Sequence, residues 1–374
     1  MSSSEPRVLQ FCHGYDGPFL DCARQYAVLF EGTPYKVTTV YLTGEPSEAV
    51  VQGSASDEVI FLGQSSRDVR GLKLGAIRAI RKIVAGRDFR FCIAHRFKPI
   101  YIALLGTSLP VIGVHHAFGD YQRLSRRVFA NFFRKRLALL GVSNAVRDDM
   151  RRCLPDWPAE RIETLYNRID IAAVQAGLKS REEAREALGL PQDAWVVGNV
   201  GRLHPDKDQA TLIRGFAEAL PQLPTGSLLA IMGSGRLEAQ LRALAAELGV
   251  STSVRLLGQV SNGRLYFKAF DAFALTSNHE PFGMVLLEAM AAEVPTLATD
   301  CGGATEVLGA KQALFPLGDS KALASRLLNV ACHELEQDGP ARVLAQFTDD
   351  CARQRFWSLS SVISDLRRVH NANS

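Results

Sequence analysis

The 374-residue chain has no internal repeat, no low-complexity tract and no Cys-x-x-Cys pair. Repeat architectures and a Cys-rich zinc site are thereby excluded. Its seven cysteines are odd in number and lack close pairs. They suit a reducing compartment rather than a disulfide framework. The longest apolar run, Pro99 to Val114, is interrupted by Gly106 and Pro110 and is too short to cross a bilayer. The opening Met1-Ser2-Ser3-Ser4-Glu5-Pro6-Arg7 holds no apolar core of a secretory leader. A cytoplasmic location is expected. No Gly-x-Gly-x-x-Gly follows the first strand, so the dinucleotide fingerprint is missing. At 47% hydrophobic and 22% charged residues, the composition is that of an ordered, soluble chain.

The length suits two domains, each with a core of its own. The net charge of +4 is divided unevenly. Residues 1–170 carry 24 Lys and Arg against 17 Asp and Glu, and the remainder carry 19 against 22. In the first half, Val8–Cys12, Lys36–Leu42, Val59–Leu62, Phe91–Ala94, Pro110–Val114 and Leu139–Val142 are short apolar or β-branched runs. They alternate with helical patterns, as in a doubly wound sheet. Polar residues leave several of these runs: His13-Gly14-Tyr15-Asp16-Gly17, His95-Arg96, and the pair His115-His116. Open α/β sheets bind ligands at the carboxyl ends of their strands. A pair of histidines there favours function over packing, although either one could be a mere neighbour. Ser143 or Asn144 is expected to cap the following helix.

Two basic stretches stand out. Residues 67–90 are expected to be helical, with Leu72, Leu74, Ile77, Ile80 and Ile83 as the apolar face. In residues 121–136, six cations alternate with Phe129, Phe132 and Phe133. The plain reading puts the phenylalanines in the core and the arginines in water. The functional reading is a helix that meets anionic lipid headgroups. No aromatic–basic recognition motif supports nucleic acid binding.

After a charged passage at 171–193 the alternation restarts, with strands expected at 195–200, 227–232, 253–258, 272–276 and 295–299. Arg202 and Lys207 leave the first of these five residues apart, a planar fork and a point charge suited to a diphosphate. Gly233-Ser234-Gly235 and Gly302-Gly303 let backbone approach a ligand. Glu280-Pro281-Phe282-Gly283 leads into a helix containing Glu288. Helix N-termini favour phosphate, and carboxylates accept strong hydrogen bonds from sugar hydroxyls. Taken singly, Lys207 is a solvated charge, Glu280 a helix-entry acid and the glycines ordinary turns. Gathered at successive strand ends, they read as a nucleotide-diphosphate site.

With these residues the chain resembles the retaining glycosyltransferases of family 4. The resemblance rests on Gly201-Arg202-Leu203 with Lys207, Gly233-Ser234-Gly235, Glu280-Pro281-Phe282-Gly283 spaced to Glu288-Ala289, and Thr299-Asp300 with Gly302-Gly303 and Glu306. It implies the α/β GT-B fold, two Rossmann-like doubly wound domains facing a central cleft. Residues 1–170 would bind the acceptor, 171–345 the nucleotide sugar, and 346–374 would form a helix crossing back to the first domain. His115 would stand at the reacting centre and Glu280 would hold the donor sugar, with backbone N–H groups at Phe282 and Gly283. Arg202 and Lys207 would bind the diphosphate beside Gly17 and Gly233, and Glu288 the ribose. Arg168 and Glu293 occupy positions where glycine is usual in the family.

The activity so implied is a retaining, metal-independent hexosyl transfer with no cofactor. The expected donor is a UDP-sugar, and the acceptor a glycan or glycolipid of lipopolysaccharide or another surface polysaccharide. The enzyme would be peripheral on the inner face of the cytoplasmic membrane through residues 67–90 and 121–136, with no nucleic acid partner. Two alternatives share the fold: a nucleotide-sugar epimerase and a non-catalytic nucleotide-sugar binder.

Overall fold

The computed structural model describes residues 5–309, 311–332 and 339–360. The chain divides into two compact units, one from residues up to Asn167 together with those from Asp349 onward, the other Arg168–Thr348. Among the described residues no helix is long and apolar enough to cross a membrane.

In the first unit the strands are β1 (Arg7–Cys12), β2 (Lys36–Tyr41), β3 (Glu58–Phe61), β4 (Phe89–His95), β5 (Val111–His115), β6 (Leu137–Gly141) and β7 (Ile162–Thr164). They form one parallel sheet in the order β3-β2-β1-β4-β5-β6-β7. Central strands of such a sheet are covered on both faces and need near-continuous apolar sequence. β4, β5 and β6 meet this almost residue for residue. The helix Asp349–Ser358 packs on this unit. Trp357 donates from Nε1 to the Leu29 carbonyl at 2.9 Å and stacks on Tyr35, while Arg353 donates to the Val28 carbonyl.

In the second unit β8 (Val196–Val200), β9 (Leu228–Met232), β10 (Val254–Gly258), β11 (Ala272–Leu275), β12 (Thr296–Thr299) and β13 (Leu314–Phe315) lie in the order β10-β9-β8-β11-β12-β13. β13, two residues long, has no periodicity to read in sequence. A core of Leu212, Ile213 and Phe216 with Leu229, Ile231, Leu323 and Leu327 fills one face of the sheet.

The passage at 171–193 belongs to the second unit and holds two helices, Ile171–Gly177 and Arg181–Leu188. Ser180 and Glu183 form a full capping box at the second, and Gly189 closes it in a left-handed conformation, the local chemistry that fixes both ends. From this helix Arg185, fully buried, reaches Asp271 at 2.8 Å, and Arg181 reaches the other carboxylate oxygen at 2.6 Å. The Val196 N–H donates to Asp271 as well, tying the helix to the start of β8.

The basic stretch 67–90 is helical only over Leu74–Val84, because Lys73 adopts a left-handed φ of 55° at its start. Ile77 and Ile80 are buried, but Leu72 and Leu74 face solvent. The stretch 121–136 yields the helix Leu124–Phe132, of which only Ala130 is fully buried. The expectation of core phenylalanines and wet arginines fails in part. Phe129 packs on Tyr101 and Phe133, whereas Phe132 is 79% exposed. Arg126 is bound to Asp120, and Arg136 donates to the Thr107 and Leu109 carbonyls.

Removing one member of a buried ion pair strands the other. Asp271→Ala should therefore destabilise the second unit by about 3 kcal/mol or more, read as a lower denaturant midpoint, while Arg181→Ala, which removes the half-exposed arm, should cost under about 1 kcal/mol.

Candidate active site

In the second unit the predicted residues converge at the carboxyl ends of β8, β9, β11 and β12. Lys207 ends a 3-10 turn after β8, and Asp208 in left-handed conformation caps the next helix. Lys207 donates from Nζ to Glu280 Oε2 at 2.7 Å. Ser277 donates to the same oxygen at 3.2 Å. Glu280 is almost wholly buried, and the ion pair supplies the polar partner that a carboxylate away from water requires. Thr276 donates to the Lys207 carbonyl at 2.9 Å, and Asn278 N–H to the Asp206 carbonyl at 3.0 Å. The loop after β8 is thus sewn to the loop after β11.

Arg202 is held differently. Its guanidinium is largely exposed and meets Asp206 at 3.3 Å. Asp206 also pairs with His204 Nδ1. The structure therefore brings Lys207 and Glu280 together and leaves Arg202 at the rim, steered by Asp206. Sequence reading missed Asp206, Ser277 and Thr276. Only their positions at strand ends could have flagged them.

Glycine is required where backbones cross. Gly233 has φ 146°, and a Cβ there would run into the Gly201 carbonyl. At Gly303 a Cβ would lie 2.5 Å from Phe282 Cα, and the Gly303 N–H donates to the Glu280 carbonyl at 2.8 Å. The helix Met284–Ala291 starts at Gly283, φ 99°, with Phe282 buried before it and Glu288, part-exposed, along it. Phe282 packs edge-on against Phe347. Glu293, two residues past this helix, has a left-handed φ of 63°, a conformation costly for any residue with a Cβ and one that glycine adopts freely.

Cys301 donates from Sγ to the Ser277 carbonyl at 3.0 Å. Burial pushes its thiol pKa up, so it stays a protonated donor, unlike a reactive thiolate.

In the first unit His115 is completely enclosed. Its Nδ1 meets Asp120 at 2.7 Å and its Nε2 the Tyr121 hydroxyl at 3.1 Å. Burial pushes Asp120 up, but the hydrogen bond and charge of His115, with Arg126, outweigh it and hold the carboxyl below its usual range. His116 is the part-exposed member of the pair. Its Nε2 lies 3.2 Å from His95 Nδ1, and the two rings stack at 5.4 Å. Burial, then the charges of His115 and Arg96, push His116 down to about 3. His95 is likewise held well below the ordinary range by burial and then by His116. Gly17 is exposed with φ 59°, so its glycine serves the turn of its own loop.

Comparison with known proteins agrees with this architecture. The model described as Glycosyltransferase Family 4 matches residues 32–173, and that described as Glycosyl transferases group 1 matches residues 180–337. An uncharacterized glycosyltransferase of Methanocaldococcus jannaschii, MJ1607, is 33% identical over 46% of this chain and 44% of its own length. The lipopolysaccharide core biosynthesis glycosyltransferase LpsE of Rhizobium meliloti is 31% identical over 47% of this chain and 52% of its own. The chain thus spans about half the length of the curated relatives it matches. Among solved structures, a glycosyltransferase from Rickettsia africae superposes with a TM-score of 0.75 at 16% identity, covering 98% of this chain and 97% of its own. Anabaena Alr3699/HepE in complex with UDP and glucose superposes with a TM-score of 0.71 at 20% identity, covering 94% and 98%. The fold is GT-B.

A histidine held below its unfolded pKa of about 6.5 resists protons that the unfolded chain accepts. Its contribution is complete above pH 6.5 and drains away as pH falls toward about 3. Denaturant unfolding should show stability falling below pH 6.5 by up to about 1.4 kcal/mol per pH unit for each such histidine. His116→Gln should flatten that slope.

Proposed function

We propose, from the premise that the chain belongs to the family 4, group 1 glycosyltransferases of GT-B fold, that it transfers a hexosyl group from a nucleotide-diphosphate sugar to a glycan or glycolipid acceptor with retention of configuration. The observation that carries this reading is the Lys207–Glu280 ion pair, set at the strand ends among glycine turns that admit close backbone approach. Lys207 and Arg202 suit the two phosphates of a leaving diphosphate. Glu280 has a second carboxylate oxygen for a sugar hydroxyl, the N-terminus of helix Met284–Ala291 supplies N–H groups, and Glu288 suits the ribose. Charge developing on the leaving group falls on cations the chain itself supplies, which favours transfer without a metal. Among the described residues no carboxylate stands out as a nucleophile. We therefore favour front-face displacement, in which the departing diphosphate accepts the acceptor's proton while its bond to the anomeric carbon breaks.

HepE, a neighbour in fold, has a structure in complex with UDP and glucose, and LpsE is named for lipopolysaccharide core biosynthesis. A UDP-sugar donor and a surface-glycan acceptor are the corresponding reading for this chain. In the first unit, His115 is the histidine we place at the reacting centre, held between Asp120 and Tyr121, and His116 is its part-exposed neighbour.

The membrane reading gains support from a face the fold assembles. Leu124, Val128 and Phe132 form a ridge at helical spacing, 67%, 60% and 79% exposed. Lys73 lies over Tyr101 at 4.7 Å, and Tyr101 packs on Phe129 at 4.9 Å. Both basic stretches, with exposed Leu72 and Leu74, therefore border one surface. Apolar side chains among arginines suit an anionic bilayer surface, and the occupant we assign is the acceptor's membrane.

Two measurements test this function. UDP at about 100 times its dissociation constant should stabilise the protein by roughly 2.7 kcal/mol, with or without magnesium. Lys207→Ala should abolish that shift, and a shift by GDP or ADP alone would reassign the base. Replacing Leu124, Val128 and Phe132 with serine should weaken co-sedimentation with phosphatidylglycerol vesicles at least about tenfold, leaving the UDP shift intact. Undiminished sedimentation would remove the ridge from the membrane contact.

A further inference from the structure

A cavity of about 610 Å³ opens within the first unit at the carboxyl ends of β1, β2 and β3, lined among others by His13, Asp16, Ser65, Arg70 and Lys98. Its volume is that of a small-ligand site. Its polar groups are arranged for an anion. Among the described residues neither Arg70, Arg96 nor Lys98 pairs with a carboxylate. Lys98 sits in the first turn of the helix Phe97–Gly106, whose N-cap is Arg96. Two cations at the positive end of a helix oppose its dipole, and Arg96 has in addition a left-handed φ of 73°. A chain that breaks two local rules in one turn is compensated elsewhere, and such places concentrate at functional sites.

The acids near the cavity are outnumbered by its cations. Asp68 takes its hydrogen bonds from the N–H and hydroxyl of Ser65, at 2.9 and 2.6 Å. Asp16, exposed in the loop after β1, is the one acid that lines the cavity among the described residues, against the two cations Arg70 and Lys98. His13 reaches the cavity from the end of β1 with its Nδ1 buried and bonded to no other residue. Burial, with the charges of Lys98 and Arg96, holds His13 below its ordinary pKa, opposed by a hydrogen bond to its own backbone and by Asp16. An arriving dianion would satisfy the ring and reverse that shift.

We infer that this cavity binds a phosphate monoester, so that the acceptor is a phosphorylated sugar or glycolipid held by Arg70, Lys98 and His13. The inference rests on the transferase reading, in which the first unit receives the acceptor. Binding of a dianion by two cations and an imidazole needs no bond making or breaking. It requires only charge-assisted hydrogen bonds in a cavity partly shielded from water.

The test uses the full chain with nitrogen-labelled histidines, the His13 resonance being identified by its loss in His13→Gln. Inorganic phosphate and glucose 6-phosphate should each shift that resonance toward imidazolium at pH 7, and glucose should not. Glucose 6-phosphate should bind more tightly than free phosphate. Lys98→Ala and Arg70→Ala should each weaken both ligands about tenfold, the loss of one charge-assisted hydrogen bond, while the thermal shift by UDP stays unchanged. No movement of His13, or equal affinity in wild type and both variants, overturns the inference. Free phosphate binding as tightly as the sugar phosphate would make this an anion site unrelated to the acceptor and overturn it equally. UDP binding without a phosphate response sinks the cavity alone. A phosphate response without UDP binding sinks the transferase reading and leaves a phosphate site without its acceptor role.

Discussion

The parallel run of the strands is the constraint from which everything else in this protein follows. A parallel strand must be followed by a crossover, and crossovers return on the same hand. All loops leaving the carboxyl ends therefore gather along one edge of each sheet, with helix N-termini behind them. Residues 70 or more apart in sequence are thereby brought within hydrogen-bonding distance. Lys207 after β8 and Glu280 after β11 touch because β8 and β11 are neighbours in the sheet order, though two strands intervene in the chain.

That contact also sets the electrostatic state of the site. A buried carboxylate alone would shed its charge by taking up a proton. With Lys207 and Ser277 on one oxygen, Glu280 remains an acceptor with its other oxygen unspent. Lys207, for its part, has capacity for three hydrogen bonds, and the structure gives it one strong partner and one long one at 3.4 Å. The pair gives each member a partner without exhausting either. Glycine turns at 233 and 303 then matter through what they allow: backbones cross where no side chain could fit, and N–H groups stand close to the same edge.

Much of this was legible because the chemistry is local. Strand runs such as Val111–His115 are continuous and apolar, and the Glu280-Pro281-Phe282-Gly283 turn and Gly233-Ser234-Gly235 carry their geometry in residue type. What escaped was set by distance or by burial. Nothing near Arg185 in sequence shows that Asp271, 86 residues on, will pair with it. The closure of His115 between Asp120 and Tyr121 depends on how the chain folds back after β5. A strand of two residues such as β13 has no period at all. The helical pattern over 121–136 was visible, but which side met the protein was not, because arginines at 126 and 136 turned inward to carbonyl and carboxylate oxygens while Phe132 turned out.

That inversion bears on how a basic composition should be understood. Twenty-four cations in the first 170 residues suggest a diffuse positive field, yet the structure sorts them. Arg7, Arg24, Arg87 and Arg126 are occupied by carboxylates, and Arg151 by backbone carbonyls. Those serve the fold. Arg70, Arg96 and Lys98 are left without acid partners in a single neighbourhood, two of them in one helix turn where the dipole disfavours them. Like charges placed together against a dipole raise the energy of the empty site, and an anion that enters relieves both terms at once. Selectivity for a dianion over a neutral sugar then comes from the arrangement of those cations, and the total charge of the domain is secondary to it.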